Sequence, residues 1–159
     1  MAVISANRVK KRLPSEQKLE NSLTPLLVVA AAIRRNDGKI LLHRRPAGKE
    51  NAGLWEFPGG KVEAHERTEE ALAREIREEC GLIIRPESFV PVSFAVESRE
   101  TGDLVLLLFH CVAPAGEPRS LEGGLWQWQD LSGAENLVLA PLDRRLRKDL
   151  IGWAGGNTL

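Results

Sequence analysis

Apolar residues run unbroken from Leu26 to Ile33, pause at Asn36-Asp37-Gly38, and resume at Ile40-Leu41-Leu42. Two apolar runs about an Asp-Gly turn predict a β-hairpin over 26–33 and 39–44. Residues 46–53 read as a loop, and Leu54-Trp55-Glu56-Phe57 as a short strand stopped by Pro58-Gly59-Gly60. Further strands are expected at 89–97, 104–112 and 125–129, with Thr101-Gly102-Asp103 as a turn between the first two. Pro114, Gly116, Pro118, Gly123 and Gly124 make 113–124 a loop. Two helices are expected. One covers 69–80, with Thr68 as N-cap, Glu69 and Glu70 at the positive end of the dipole, and Gly81 as the stop. The other covers 142–151, where Leu142, Leu146 and Leu150 recur every fourth residue. Strands and helices mixed without regular alternation predict an α+β layered domain.

The 159 residues suit one domain, placed at 23–159 behind a polar, aperiodic leader at 1–22 that reads as flexible. Lys+Arg and Asp+Glu number 22 each, so no basic excess exists to hold a nucleic-acid polymer stably. A small phosphorylated ligand is untouched by that argument. The longest apolar run is far shorter than the roughly 20 residues of a membrane helix, which predicts no membrane partner. Cys80 and Cys111 have neither metal-finger nor disulfide-framework spacing and read as buried thiols in a reducing compartment. The expected location is the cytoplasm.

The chemistry concentrates in one segment. On a helix, Glu75 has Glu78 and Glu79 as neighbours at +3 and +4, so three carboxylates crowd one stripe while Leu72 and Ile76 face the core. Like charges at these spacings repel, and Arg74 alone cannot neutralise three carboxylates. A solvated acidic face is the plain alternative. A divalent cation with hard oxygen ligands would offset the repulsion, and Mg²⁺, Mn²⁺ or Ca²⁺ fit that description. Gly59-Gly60 lets backbone approach a ligand closely, and Lys61 adds a compact positive charge suited to phosphate.

Gly60, Glu66, Arg74, Glu75, Ile76, Glu78, Glu79, Gly81 and Leu82 fit the pattern Gly-x5-Glu-x7-Arg-Glu-apolar-x-Glu-Glu-x-Gly-apolar at every specified position. This resembles the signature of the Nudix hydrolases. The resemblance implies a mixed β-sheet sandwiched between helices (α/β/α), with the signature as a loop–helix–loop. It also implies hydrolysis of a nucleoside diphosphate linked to another group. Carried over by position, Glu75, Glu78, Glu79 and the Gly59 carbonyl bind Mg²⁺, with Mn²⁺ as a substitute. Arg74 orients the carboxylates, and Glu66 with Arg74 links loop to helix.

The wording from Gly53 to Glu63 is similar to the MutT-type branch, which trims or sanitises nucleoside triphosphates to monophosphate and diphosphate. By that resemblance Arg45 contacts substrate, and Glu56, Phe57, Pro58 and Gly59 lie against base and ribose beside Lys61. Phe57 reads equally as core. Glu122 matches a late-loop glutamate that reaches the metal site, and equally a solvated loop acid. Glu50 and Asp143 stand where oxidised-guanine enzymes carry other residues, with Asp143 at a base-reading position. The implied function is clearance of 8-oxo-dGTP-type nucleotides in DNA repair. Hydrolysis of CTP or modified dCTP, of another nucleoside diphosphate derivative, or a non-catalytic nucleotide-binding role are the alternatives. A monomer or a homodimer is compatible with all of these. Trp126, Trp128 and Trp153 read as core or sheet-face aromatics, and His43, His65 and His110, lacking ligand spacing, as structural.

Overall fold

The structure is a computed structural model and describes residues 24–156; the leader at 1–22 lies outside the described residues. The strands are β1 (Leu26–Arg34), β2 (Ile40–Arg44), β3 (Trp55–Glu56), β4 (Gly59–Lys61), β5 (Val90–Glu97), β6 (Leu104–Val112) and β7 (Leu125–Gln129). The helices are α1 (Thr68–Cys80) and α2 (Pro141–Gly156), with short 3₁₀ turns at Pro86–Ser88 and Gly133–Asn136.

The strands form one mixed sheet ordered β3-β2-β1-β6-β5, with β4 paired to β1 and β7 to β2. β1 runs parallel to β6 along its whole length, from Leu26↔Leu104 to Arg34↔Val112. The other pairings are antiparallel. Both predicted hairpins form, β1–β2 at the Asp37-Gly38 turn and β5–β6 at Gly102. β1 is apolar from Leu26 to Ile33 because both its faces are covered. Val29, Ala31 and Ile33 pack with Leu72 and Ile76 of α1, while Ala30 and Ala32 pack with Leu146 and Leu150 of α2. The period-2 alternation of a strand thus serves two helices, and the result is the expected α/β/α sandwich.

Three local features differ from expectation. The N-cap of α1 is Arg67, whose backbone N–H donates to Glu70 at 3.0 Å, the backward half of a capping box. Thr68 lies one residue inside the helix and donates its hydroxyl to Glu69. Gly59 and Gly60 are not a free loop but strand β4, paired to Ala30 and Val29. α2 extends to Gly156, beyond the last leucine of its stripe.

Candidate active site

A cleft of about 610 Å³ opens between β1, β4, the α1 face and the start of α2. β1 and β6 supply an apolar lining through Val28, Ala30, Leu104 and Leu106. Glu75 and Glu79 of α1 line it, as do Glu122 from the late loop and Arg45, Glu56 and Asp143. Gly59, Lys61, Phe57 and Glu50 complete the expected residues that reach it.

Strand β4 explains the double glycine. The ladder bonds on either side of it, Ala31 N–H to the Pro58 carbonyl at 2.8 Å and Val62 N–H to the Leu27 carbonyl at 3.0 Å, fix which groups face β1. By antiparallel alternation the polar groups of Gly59 and Lys61 point the other way, toward α1. The Gly59 N–H accordingly reaches Glu79 Oε2 at 3.3 Å, and the Lys61 carbonyl accepts from Arg74 at 3.0 Å. A side chain at Gly59 would overlap the Val29 carbonyl, and one at Gly60 would overlap the Glu75 carboxyl group. Bare backbone at both positions lets the helix carboxylates lie against the strand.

Arg74 joins three segments. Its Nε and Nη2 donate to both oxygens of Glu66, at 3.1 and 2.7 Å, and Nη1 donates to Glu75 Oε1 at 2.9 Å. Glu66 holds Arg74 firmly protonated. Glu66 also accepts the Glu63 N–H at 2.7 Å, so the loop between β4 and α1 is closed around this pair.

The carboxylates repel one another. Burial, reinforced by the charges of Glu56 and Glu75 and opposed by His43 and the Gly59 N–H, pushes Glu79 up to about 7. Glu75 is raised by burial, against the pull of Arg74, with the charges of Glu78 and Glu122 adding to it. Among the described residues no three acidic, histidine or cysteine side chains already form a closed cage. An all-oxygen set under mutual repulsion is nevertheless what a hard divalent cation stabilises.

Three expected site residues do not line the cleft: Arg74, which sits behind Glu75 as described above, Glu78 and Pro58. Glu78 is exposed, with Arg74 Nη1 3.5 Å from its Oε2. Pro58 is fully buried with its carbonyl committed to Ala31, so it shapes the cleft from behind. Arg45 is already engaged, its Nη1 within 2.8 and 2.9 Å of the two Glu56 oxygens and its Nε 2.6 Å from the Glu50 carbonyl. Glu50 itself pairs with Arg99 at 3.5 Å. Asp143 is 5% exposed and accepts the Phe57 N–H at 2.8 Å. Burial, with the Glu56 charge adding and that N–H opposing, pushes its carboxyl up to about 7. Phe57 is both core and cleft wall.

Two residues that spacing did not single out belong to this neighbourhood. Arg99 lines the cleft and pairs with Glu97 at 2.7 Å. His43, read as structural, is buried 3.5 Å from Glu56 and stacked on Trp126. Burial works against its charged form, but Glu56, the Gly123 carbonyl and the Glu79 charge outweigh that and raise its pKa.

A family model described as NUDIX domain matches residues 24–150. The CTP pyrophosphohydrolase of Escherichia coli K12 is 40% identical over 125 residues, covering 74% of this chain and 86% of that protein. The 8-oxo-dGTP diphosphatase of Haemophilus influenzae is 38% identical over 106 residues, covering 64% of this chain and 75% of that protein. The solution structure of the E. coli ORF135 protein superposes with a TM-score of 0.73 at 34% identity, covering 85% of this chain and 94% of that one.

Proposed function

This chain belongs to the Nudix family, and we propose that its cleft hydrolyses nucleoside triphosphates to monophosphate and diphosphate, with Glu75, Glu79 and Glu122 supplying the metal ligands. Nudix hydrolases depend on divalent metals, and Mg²⁺ is the ion we assign here, with Mn²⁺ able to replace it. The observation that carries the reading is the pair Glu75 and Glu79, held against the bare backbone of Gly60 and Gly59 inside the cleft. Glu78, at the edge of the same helix face, is the remaining acid of the set.

A bound divalent ion would screen phosphate charge and lower the pKa of a coordinated water. The chain's residues do the rest. Water adds at one phosphorus of the α–β anhydride and gives up a proton to solvent. The bridging P–O bond breaks with its electron pair staying on the departing phosphate oxygen, and monophosphate and diphosphate are the products. Arg74 fixes the rotamer of Glu75, so the carboxylate is set before substrate arrives. Lys61 and Arg45 place positive charge along the cleft for the phosphates. Phe57 and the apolar lining from β1 and β6 offer a dry surface for the base.

For the base, the wording from Gly53 to Glu63 and the similarity to an 8-oxo-dGTP diphosphatase support an oxidised guanine triphosphate and a role in cleaning the nucleotide pool. A second reading, a cytidine triphosphate, draws on the similarity to the CTP pyrophosphohydrolase. A panel of ordinary and oxidised triphosphates, followed by diphosphate release with Mg²⁺ and with Mn²⁺, separates the two by kcat/KM. Release of inorganic phosphate alone, or no metal dependence, would reject the reading itself.

A further inference from the structure

We infer that His43 is a positioning residue for Glu122: it clamps the Gly123-Gly124 turn to the sheet so that the preceding carboxylate faces the cleft. The inference rests on the reading above in which Glu122 serves the metal site.

His43 sits on β2 between two antiparallel partners, opposite Glu56 of β3 and opposite Trp126 of β7. Its neighbours on the strand, Ile40, Leu41 and Leu42, are apolar and buried. A polar ring at such a position costs stability unless its nitrogens are used. One is used. Nε2 donates to the Gly123 carbonyl at 3.2 Å, and since a carbonyl only accepts, that nitrogen carries the proton. The ring plane is fixed by stacking on Trp126, with centroids 4.3 Å apart and 17° between planes. Nδ1 is buried without a hydrogen bond, 3.5 Å from Glu56 Oε1.

The turn is shaped to meet the ring. Gly124 has φ 81°, and any side chain there would overlap His43 Nε2 and the Arg44 carbonyl. Only glycine lets the loop close on the imidazole. Ser120 donates to the Gly124 carbonyl at 3.1 Å, which closes the other end of the turn. Glu122 lies between these two ties, lines the cleft, and acts on Glu75 by its charge. Leu121, Glu122 and Gly123 are open to solvent, and on the side before Glu122 the Leu121 N–H donates to the Glu79 carbonyl of α1 at 3.2 Å. The ring anchored in the sheet therefore fixes the side after Glu122, as the Leu121 bond to α1 fixes the side before it, and together they hold Glu122 near the α1 carboxylates.

The test compares wild type, His43→Ala, His43→Gln, Glu122→Gln and the His43→Ala/Glu122→Gln double variant on a triphosphate that the wild type hydrolyses. Readouts are kcat, KM, the Mg²⁺ concentration for half-activation, and hydrogen–deuterium exchange over residues 121–125. Removing a metal-ligand charge in Glu122→Gln is expected to cost about 100-fold or more in rate, and letting that ligand drift by a fraction of an ångström in His43→Ala about tenfold. For His43→Ala, KM should move by less than about twofold while half-activation by Mg²⁺ shifts upward. His43→Gln, whose amide can still donate to Gly123, should recover most of the rate. The double variant should be no slower than Glu122→Gln, because residues acting through one group are not additive. Exchange over residues 121–125 should quicken in His43→Ala. If His43→Ala does not fold, His43→Asn, too short to reach Gly123, replaces it.

Unchanged exchange, full activity of His43→Ala beside an impaired Glu122→Gln, or losses that multiply in the double variant each overturn the clamp and leave the metal-site reading intact. A fully active Glu122→Gln overturns the Glu122 reading, and the clamp's purpose with it.

Discussion

The Asp143 carboxylate accepts the Phe57 N–H at 2.8 Å, tying the first turn of α2 to the segment that leads into Gly59. The bond spans most of the domain in sequence and fixes one wall of the cleft. Asp143 cannot be treated as a free base-reading acid, since one of its oxygens is spent on the backbone. It keeps the other for whatever the cleft receives.

That burial has a pH signature. With its folded pKa raised to about 7 against an ordinary 3.8, Asp143 holds a proton in the folded state that the unfolded chain releases. Its contribution is therefore fully present below about pH 4 and declines as pH rises toward 7. Asparagine keeps the acceptor and cannot ionise. From pH 5 to pH 8, metal-free Asp143→Asn should gain about 3 kcal/mol in unfolding free energy relative to wild type. Urea unfolding at the two pH values measures it, and a constant difference would show that Asp143 is ionised throughout.

Glu79→Gln should separate activity from stability. Removing a metal-ligand charge is expected to lower kcat by about two to four orders of magnitude. The same change relieves a buried, crowded carboxylate whose pKa stands near 7, so the metal-free variant should be more stable than wild type at pH 8 by about 1–2 kcal/mol. The gain should shrink as pH falls through 7 and vanish only below about pH 4, where the carboxyl is protonated in the folded and the unfolded chain alike. Added Mg²⁺ should stabilise wild type and not the variant. An inactive variant with no such pH-dependent gain would place the loss in folding, not in the site.

The neighbouring glycines should fail in different ways. Gly59→Ala drives a methyl into the Val29 carbonyl, which belongs to the sheet and cannot yield. It should lower the melting temperature by about 5 °C or more, the effect of a clash costing 1–3 kcal/mol. Gly60→Ala meets first the carboxyl end of Glu75, the far end of a flexible side chain, which can shift at the expense of its contact with Arg74. Its melting temperature should stay near wild type while activation by Mg²⁺ weakens. Thermal unfolding beside a Mg²⁺ titration of activity checks both, and equal behaviour of the two variants would sink the distinction.

Much of this was legible in the sequence, and the rest has physical reasons. β6 and β7 fall at the expected residues because a short apolar run bounded by turn residues, as in β6, and Trp-Gln alternation, as in β7, are both strand signals. β4 was hidden because two glycines carry no strand propensity; the strand forms through backbone close approach to β1 and α1, which only the tertiary fold supplies. The acidic stripe on α1 was legible from spacing, and so in principle was the difference within it. Glu75 and Glu79 flank Leu72 and Ile76 at helical intervals and so share the buried side, whereas Glu78 turns outward. The cap at Arg67 had only a faint signal, Glu70 three residues on, because arginine is not a capping residue by type. His43 had none. A lone histidine in an apolar strand shows nothing of the loop that folds over it from the far side of the chain.

Arg74 offers the sharpest test of how the loop and the helix are held together. Its guanidinium satisfies both Glu66 oxygens, the Lys61 carbonyl and Glu75 from one planar fork. Lysine keeps the charge but places a single ammonium where four acceptor atoms wait, so it can meet at most part of the set. Arg74→Lys should therefore cost about 1–3 kcal/mol in stability, the range for unmade bonds to partly buried charged groups. It should also cost more rate than its stability loss explains, about tenfold, because Glu75 is left to choose its own rotamer. Glu66→Gln, which leaves the Arg74–Glu75 contact in place, should show the stability loss with a much smaller effect on kcat. Denaturant unfolding of the two variants beside their kcat values decides the matter. If Arg74→Lys matched wild type in both measurements, charge alone would suffice and the fork geometry would be irrelevant. If Glu66→Gln lost rate as severely as Arg74→Lys, the arginine's service to Glu75 would run through the loop rather than through their direct contact.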